Sequence, residues 1–141
     1  MAVARGPILG VDLTAASATL EFPLGTRVVK DNVEYEYGQA NGAVATQLPC
    51  SYATGGQWAA SGNAGDVDGV SVYALADNEY GWFAIRGEVT CNVAGSTAAG
   101  AYLTPVADAN GDMVTVAGAT NVRRGLAVTA ESGGLSTVRL Y

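Results

Sequence analysis

The sequence predicts an all-β protein: a compact antiparallel barrel or sandwich preceded by an extended N-terminal arm. Three observations carry this. Glycine supplies 19 of 141 residues, close to twice its usual share, which favours tight turns and works against long helices. The second half repeats short Val- and Thr-rich runs in two-residue alternation, spaced by turn dipeptides as in sandwiches and barrels. Residues 1–20 carry no sustained apolar stripe of helical period. At 14.2 kDa the chain makes one domain of ordinary size, whose core holds without a metal or a disulfide staple. The hydrophobic fraction is 49%, but Phe and Met number two each, so much of the core must be closely packed small side chains.

Residues 1–24 read as an arm. Gly6-Pro7, Gly10 and the small-residue series from Thr14 to Thr19 give no regular element, whereas Val3, Ile8, Leu9, Val11, Leu13 and Leu20 are too many apolar points for a solvated tail. The arm is expected to lie along a surface, its own or a neighbour's. Ile8, Leu9, Val11 and Leu13 are its candidate partner-binding residues.

A single β domain is expected over 25–141. Arg27-Val28-Val29 leads to the turn dipeptide Asp31-Asn32. Val33, Tyr35 and Tyr37 then alternate with Glu34 and Glu36, as in a hairpin with one buried and one wet face. Ala43 to Leu48 reads as a strand ended by Pro49. The stretch from Ser51 to Gly69, rich in Gly, Ser, Ala, Asn and Asp around Gln57-Trp58, reads as a long loop, and loops of that length in compact domains tend to carry function. Tyr52 and Trp58 are its candidate binding residues, as a stacking platform or an interface anchor; a lid over the core is the plainer role for Trp58.

Beyond the loop, Val70 to Leu75 reads as a strand, followed by a turn at Asp77-Asn78. A long strand runs from Tyr80 to Val93, in which Phe83, Ile85, Val89, Cys91 and Val93 share one parity. Tyr80 and Trp82 have the opposite parity, so aromatic residues occupy both faces and a central, doubly covered strand is expected. Gly87 interrupts the apolar series, predicting a bend, a bulge or a close backbone approach. Ala101 to Val106 and Met113 to Val116 form a hairpin about Asn110-Gly111. Leu126 to Thr129 and Leu135 to Leu140 follow, the latter after a turn at Ser132-Gly133-Gly134.

Charge and composition narrow the chemistry. There are 13 acidic and 7 basic residues, for a net charge of −6. Lys30 is the only lysine and Arg123-Arg124 the only adjacent basic pair, so no nucleic-acid groove is expected. Arg123, Arg124 and Arg86 are instead candidates for pairing with acidic patches on a protein partner, with surface solubilisation as the plainer alternative. The absence of histidine removes His-dependent triads, bases and metal ligands. Cys50 and Cys91 fit neither a redox nor a zinc motif and are expected as buried thiols, with one disulfide as the alternative. No apolar run has the length of a membrane span and no export signal is visible, so a soluble protein without membrane contact is expected. Asp66-Val67-Asp68-Gly69 and Asp108 to Asp112 each match part of a calcium loop, but neither completes it, and ordinary turn chemistry accounts for both. Glu34 and Glu36 lie about 7 Å apart by strand rise. That separation suits paired acid–base carboxylates, yet a solvated strand face explains them at less cost, and no nucleophile has a base beside it.

Several phrases in the second half resemble the small all-β capsid cement, or head decoration, proteins of tailed phages. These are Asp77-Asn78-Glu79-Tyr80-Gly81-Trp82-Phe83-Ala84-Ile85-Arg86-Gly87, the run from Val93 to Ala101, Arg124-Gly125-Leu126-Ala127-Val128-Thr129, and the run from Gly133 to Leu140. The resemblance covers residues 67–141 and, more loosely, 26–48. It implies a non-enzymatic protein without cofactor or metal that binds the outside of an assembled head across junctions of the major capsid protein and reinforces it. Its expected place is the capsid exterior of the virion, after assembly in the host cytoplasm. A homo-oligomer is expected, a trimer favoured over a dimer. The acidic balance agrees with a location away from packaged DNA. The alternative from the residues themselves is a carbohydrate-binding or host-recognition module of a virion, with Tyr52 and Trp58 as its platform.

Overall fold

The computed structural model describes residues 12–13, 15–61, 66–108, 111–115 and 124–141. Among them there is no helix, and ten strands carry the fold: β1 Arg27–Lys30, β2 Val33–Ala40, β3 Pro49–Ala53, β4 Gln57–Ala60, β5 Gly69–Ser71, β6 Tyr80–Asn92, β7 Tyr102–Ala107, β8 Met113–Thr115, β9 Gly125–Ala127 and β10 Leu135–Leu140.

The strands form two rings that share β6. In the first, β2 pairs with β4, β4 with β3, β3 with β5, β5 with β6, and β6 with β2 again. Only the short β2–β4 contact is parallel. Closure of this kind leaves those strands with no open edge. The second ring runs from the far half of β6 through β10, β9, β7 and β8. A parallel bridge from Val93 to Met113 returns it to the end of β6, and there Ala94 N–H donates to Met113 O at 2.8 Å.

The length of β6 makes this possible, and Gly87 is where it changes partners. Tyr80 to Arg86 pair with β2, whereas Gly87 to Asn92 pair with β10. Gly87 has φ +105°, and a Cβ there would lie 2.6 Å from Asn32 O and 2.9 Å from Val33 Cα. The expected bend and close approach are therefore both present, beside a bulge where the register shifts between Glu34 and Tyr35.

Both faces of β6 are covered. Phe83 lies inside the first ring with Ala40, Val44, Cys50, Trp58 and Leu75. Trp82, on the other face, packs with Leu13, Val28 and Tyr37. Phe22 meets Tyr37 edge-on at 5.3 Å and Trp82 at 5.5 Å. The second ring and its junction with the first hold the remaining cluster, including Val33, Cys91, Val93, Leu103, Met113, Val138 and Leu140.

Most of the hairpins fall where the sequence places them. Asp31 and Asn32 take φ of 52° and 64°, the two left-handed positions of the tight turn that joins β1 to β2. Gly111, Gly133 and Gly134 also have positive φ, at the turns before β8 and β10.

Four expectations need correction. Ala43 to Leu48 is not a strand: Val44 makes an isolated bridge to Leu75, Gln47 turns with φ 57°, and Pro49 opens β3, a strand-start position that proline tolerates. The stretch expected as a loop from Ser51 onward contains the hairpin β3–β4, with Tyr52 opposite Trp58; its Gly55-Gly56 composition serves a tight turn. The carboxylate face of β2 is not fully wet, since ring closure leaves Glu36 only 8% exposed. The strand expected from Val70 to Leu75 ends at Ser71.

Within the arm, Leu13 is buried and Ser17 exchanges backbone hydrogen bonds with Tyr80, at 3.1 and 2.8 Å. The surface under the described part of the arm is thus the chain's own β1–β2–β6 face.

Candidate binding face

Glu34, Glu36 and Ile85 sit at the mouth of the first ring, beyond the apolar interior formed by Trp58 and Phe83. The hairpin register places Arg27 opposite Glu36 and diagonal to Glu34, two residues away on the same face. Its two Nη atoms lie 3.1 Å from Glu34 Oε1 and 3.1 Å from Glu36 Oε2. One guanidinium thereby bridges the two carboxylates across the hairpin.

Across the mouth stand Tyr52 from β3 and the segment Asp66 to Asp68. Asp68 Oδ2 accepts from Tyr52 N–H at 2.8 Å, tying the segment to the strand. Arg124 closes the far end. Its Nε donates to Val67 O at 2.9 Å and one Nη to Ile85 O at 3.1 Å, while further bonds reach the carbonyls of Asp68 and Tyr141. Burial pushes its pKa below the ordinary value, and nearby Asp68 partly offsets that.

Two adjoining hollows result, of about 430 and 500 Å³, which share Arg27, Asp68 and Ile85 in their walls. Together they make one trough of mixed polar and apolar lining, with Tyr52 on one lip and Arg86 on the other.

The structure brings Tyr52, Trp58 and Arg124 to this region in different roles. Tyr52 is 46% exposed and meets Trp58 edge-on at 5.3 Å. Trp58 is 2% exposed and stacks on Phe83 at 4.6 Å and 7°; it is core, and its ring offers no stacking platform to solvent. Arg124 spends its donors on backbone carbonyls rather than on an acidic partner patch. Leu13 is buried against Val28, Tyr37 and Trp82. Ile8, Leu9, Val11 and Arg123 lie outside the described residues.

Of the partial calcium loops, the one at Asp108 serves its own turn, whereas the Asp68 carboxylate of the other is engaged by Tyr52 N–H of β3. Asp108 Oδ1 accepts from Asp112 N–H at 3.0 Å, and burial followed by Asp108 raises the Asp112 pKa. Cys50 and Cys91 are buried free thiols. Arg86, a candidate for pairing with a partner's acidic patch, lines the trough, and so does Arg27, which the sequence reading did not select. The signal for Arg27 was available, because counting outward from a two-residue turn at Asp31-Asn32 sets it against Glu36.

Comparison of the sequence with known protein families and with curated proteins finds no match. Comparison of the fold does. The chain superposes on the crystal structure of the N base of head fibre gp8.5 from bacteriophage phi29 with a TM-score of 0.57, over 76% of this chain and 92% of that one, at 17% identity. The two share a fold.

Proposed function

We propose that this chain is a non-enzymatic structural protein of a tailed-phage virion that attaches to the outside of the assembled head. The observation that carries the reading is the fold shared with a head-fibre base over 92% of that base. The resemblance of residues 67–141 to capsid cement proteins points to the same place on the particle by an independent route. The net charge of −6 suits the outer face of a shell filled with DNA and opposes an inner one.

In its finer form the proposal is cementing: homo-oligomers, trimers in preference to dimers, seated across junctions of the major capsid protein. A copy that binds only the assembled lattice draws the lattice away from dissociation by mass action. Its contacts are assigned to the arm residues Ile8, Leu9 and Val11 and to apolar side chains that the fold leaves exposed, such as Leu20 and Tyr73.

The test is co-sedimentation of the labelled chain with empty heads and with dissociated capsid protein. Binding to heads, and retention of heads at a temperature or chelator dose that opens undecorated ones, is the expected result. A chain that stays in the supernatant with intact heads refutes the proposal. Removing residues 1–11 tests the arm while leaving the Leu13 and Phe22 packing in place, and light scattering shows whether the mass is three times 14.2 kDa.

A further inference from the structure

We propose that the trough at the mouth of the first ring is a saccharide-binding site, with Tyr52 as its stacking face. The inference does not depend on attachment to a head, and it replaces the Tyr52–Trp58 platform expected from the sequence with a different set of residues.

Tyr52 is an exposed aromatic whose position is over-determined. It stands cross-strand from Trp58 and rests edge-on against that buried ring at 5.3 Å. Its hydroxyl accepts from Gly56 N–H at 3.3 Å, and its own N–H is held by Asp68 at 2.8 Å. A rigid, half-exposed phenol ring at the lip of a hollow suits the C–H face of a pyranose, because little side-chain freedom remains to be lost on binding.

The polar walls are fixed in the same way. Arg27 engages one oxygen of Glu34 and one of Glu36, and a carboxylate has lone pairs beyond those it gives to a single donor. The acceptors are thus oriented before a ligand arrives. On the other lip, no ion pair among the described residues engages Arg86.

The charges narrow the ligand class. Arg27, Arg86 and Arg124 stand against Glu34, Glu36, Asp66 and Asp68 around the trough, so the two signs nearly cancel and an ionic ligand gains little. The walls also carry apolar surface, from Tyr52, Trp58 and Ile85, against which one face of a ligand can lie. A neutral polyhydroxylated ring with one apolar face satisfies both conditions, and hollows of about 430 and 500 Å³ lie within the roughly 300–1,000 Å³ of small-ligand sites.

The experiment is an array of pyranose-containing glycans probed with the labelled full chain, followed by titration of the best binders. A defined subset is expected to bind. Tyr52→Ala and Arg86→Ala should each weaken that binding about tenfold or more, which is about 1.4 kcal/mol. Tyr52→Phe keeps the ring and should retain most of the affinity, and Tyr102→Ala in the second ring should change nothing. Arg86 has no ion pair among the described residues to lose, so its variant tests the site even if Tyr52→Ala unfolds, and thermal melting distinguishes the two cases. An array that stays dark, or binding that survives both Tyr52→Ala and Arg86→Ala, overturns the proposal. So does an outcome in which these variants abolish co-sedimentation with heads and no glycan binds, because the trough is then a protein contact. Loss of glycan binding with head binding intact supports the site and leaves the two proposals separate.

Discussion

Arg124 and Val67 are 57 residues apart in sequence, and Arg124 Nε donates to Val67 O at 2.9 Å. The same guanidinium reaches the carbonyls of Asp68, Ile85 and Tyr141. One side chain entering β9 from the second ring thus fixes the segment that leads into β5 of the first, the middle of β6 and the residue after β10. Only a planar fork with several donors can do this, which lysine cannot reproduce. Arg124→Met should cost about 3 kcal/mol, because the carbonyls lose charge-assisted bonds in a partly buried place. Arg124→Lys should recover less than half of it. Urea unfolding measures both. A loss under about 1 kcal/mol for Arg124→Met would show that the strands hold the rings together without it.

Gly87 gives a second, independent test of the junction. Its φ of +105° strains any L side chain, and an added Cβ would meet Asn32 O at 2.6 Å, in the turn between β1 and β2. Gly25 is the control, with φ +85° and nothing within 4 Å of its Cβ position. Gly25→Ala should cost about 1 kcal/mol through backbone strain alone. Gly87→Ala should cost more than twice that, since strain and backbone collision add. Equal thermal shifts for the two would mean that the β1–β2 turn moves freely away from β6.

These junctions show what was legible in the sequence and what was not. Alternation and turn dipeptides are local signals, so the β1–β2 hairpin, the long β6 and its special Gly87 could be read directly. Ring closure is not local. Nothing near Glu36 shows that β4 and β6 flank β2, so its face reads as wet. Trp58 is the sharper case. Its neighbours Gly55, Gly56, Ala59 and Ala60 have loop composition, yet Gly55 and Gly56 turn the chain with φ +80° and +78°, while small side chains leave room for the indole to enter the core. The trough was illegible for the same reason, because Arg27, Tyr52, Asp68, Arg86 and Arg124 come from five separate stretches of chain.

The buried thiols set an alkaline limit on stability. Burial pushes Cys50 from 9.0 up to about 12, and raises Cys91 for the same reason, with Cys50 itself adding to the shift. A raised folded-state pKa means that the stabilisation is complete below about pH 9 and is lost as pH rises toward the folded value, because the unfolded chain releases those protons first. At about pH 10 each thiol should have removed about 1 kcal/mol. Tyr35 and Tyr37, also raised by burial, extend the loss at higher pH. The urea midpoint should therefore fall between about pH 8 and 10, and fall less in the Cys50→Ala, Cys91→Ala double variant. Equal slopes for the two proteins would contradict this account.

Trp58 offers a test in which two changes should relieve each other. Its indole Nε1 is buried without a hydrogen-bond partner, so part of what the ring contributes by packing is offset by an unsatisfied donor. Trp58→Ala should cost about 4 kcal/mol by opening the core beside Phe83. Trp58→Phe keeps an aromatic ring on Phe83 and removes the orphan N–H, so its cost should be well under half of that. Gly38 touches the same edge of the indole: an added Cβ would lie 2.3 Å from Trp58 Cδ1 and 2.6 Å from Nε1, and Gly38→Ala alone should be strongly destabilising. Because phenylalanine lacks the pyrrole edge that this added methyl would strike, the double variant Gly38→Ala, Trp58→Phe should lose at least about 1 kcal/mol less than the sum of the single losses. Additive losses in denaturant titrations would mean that the collision lies with the backbone around Gly56 and not with the indole.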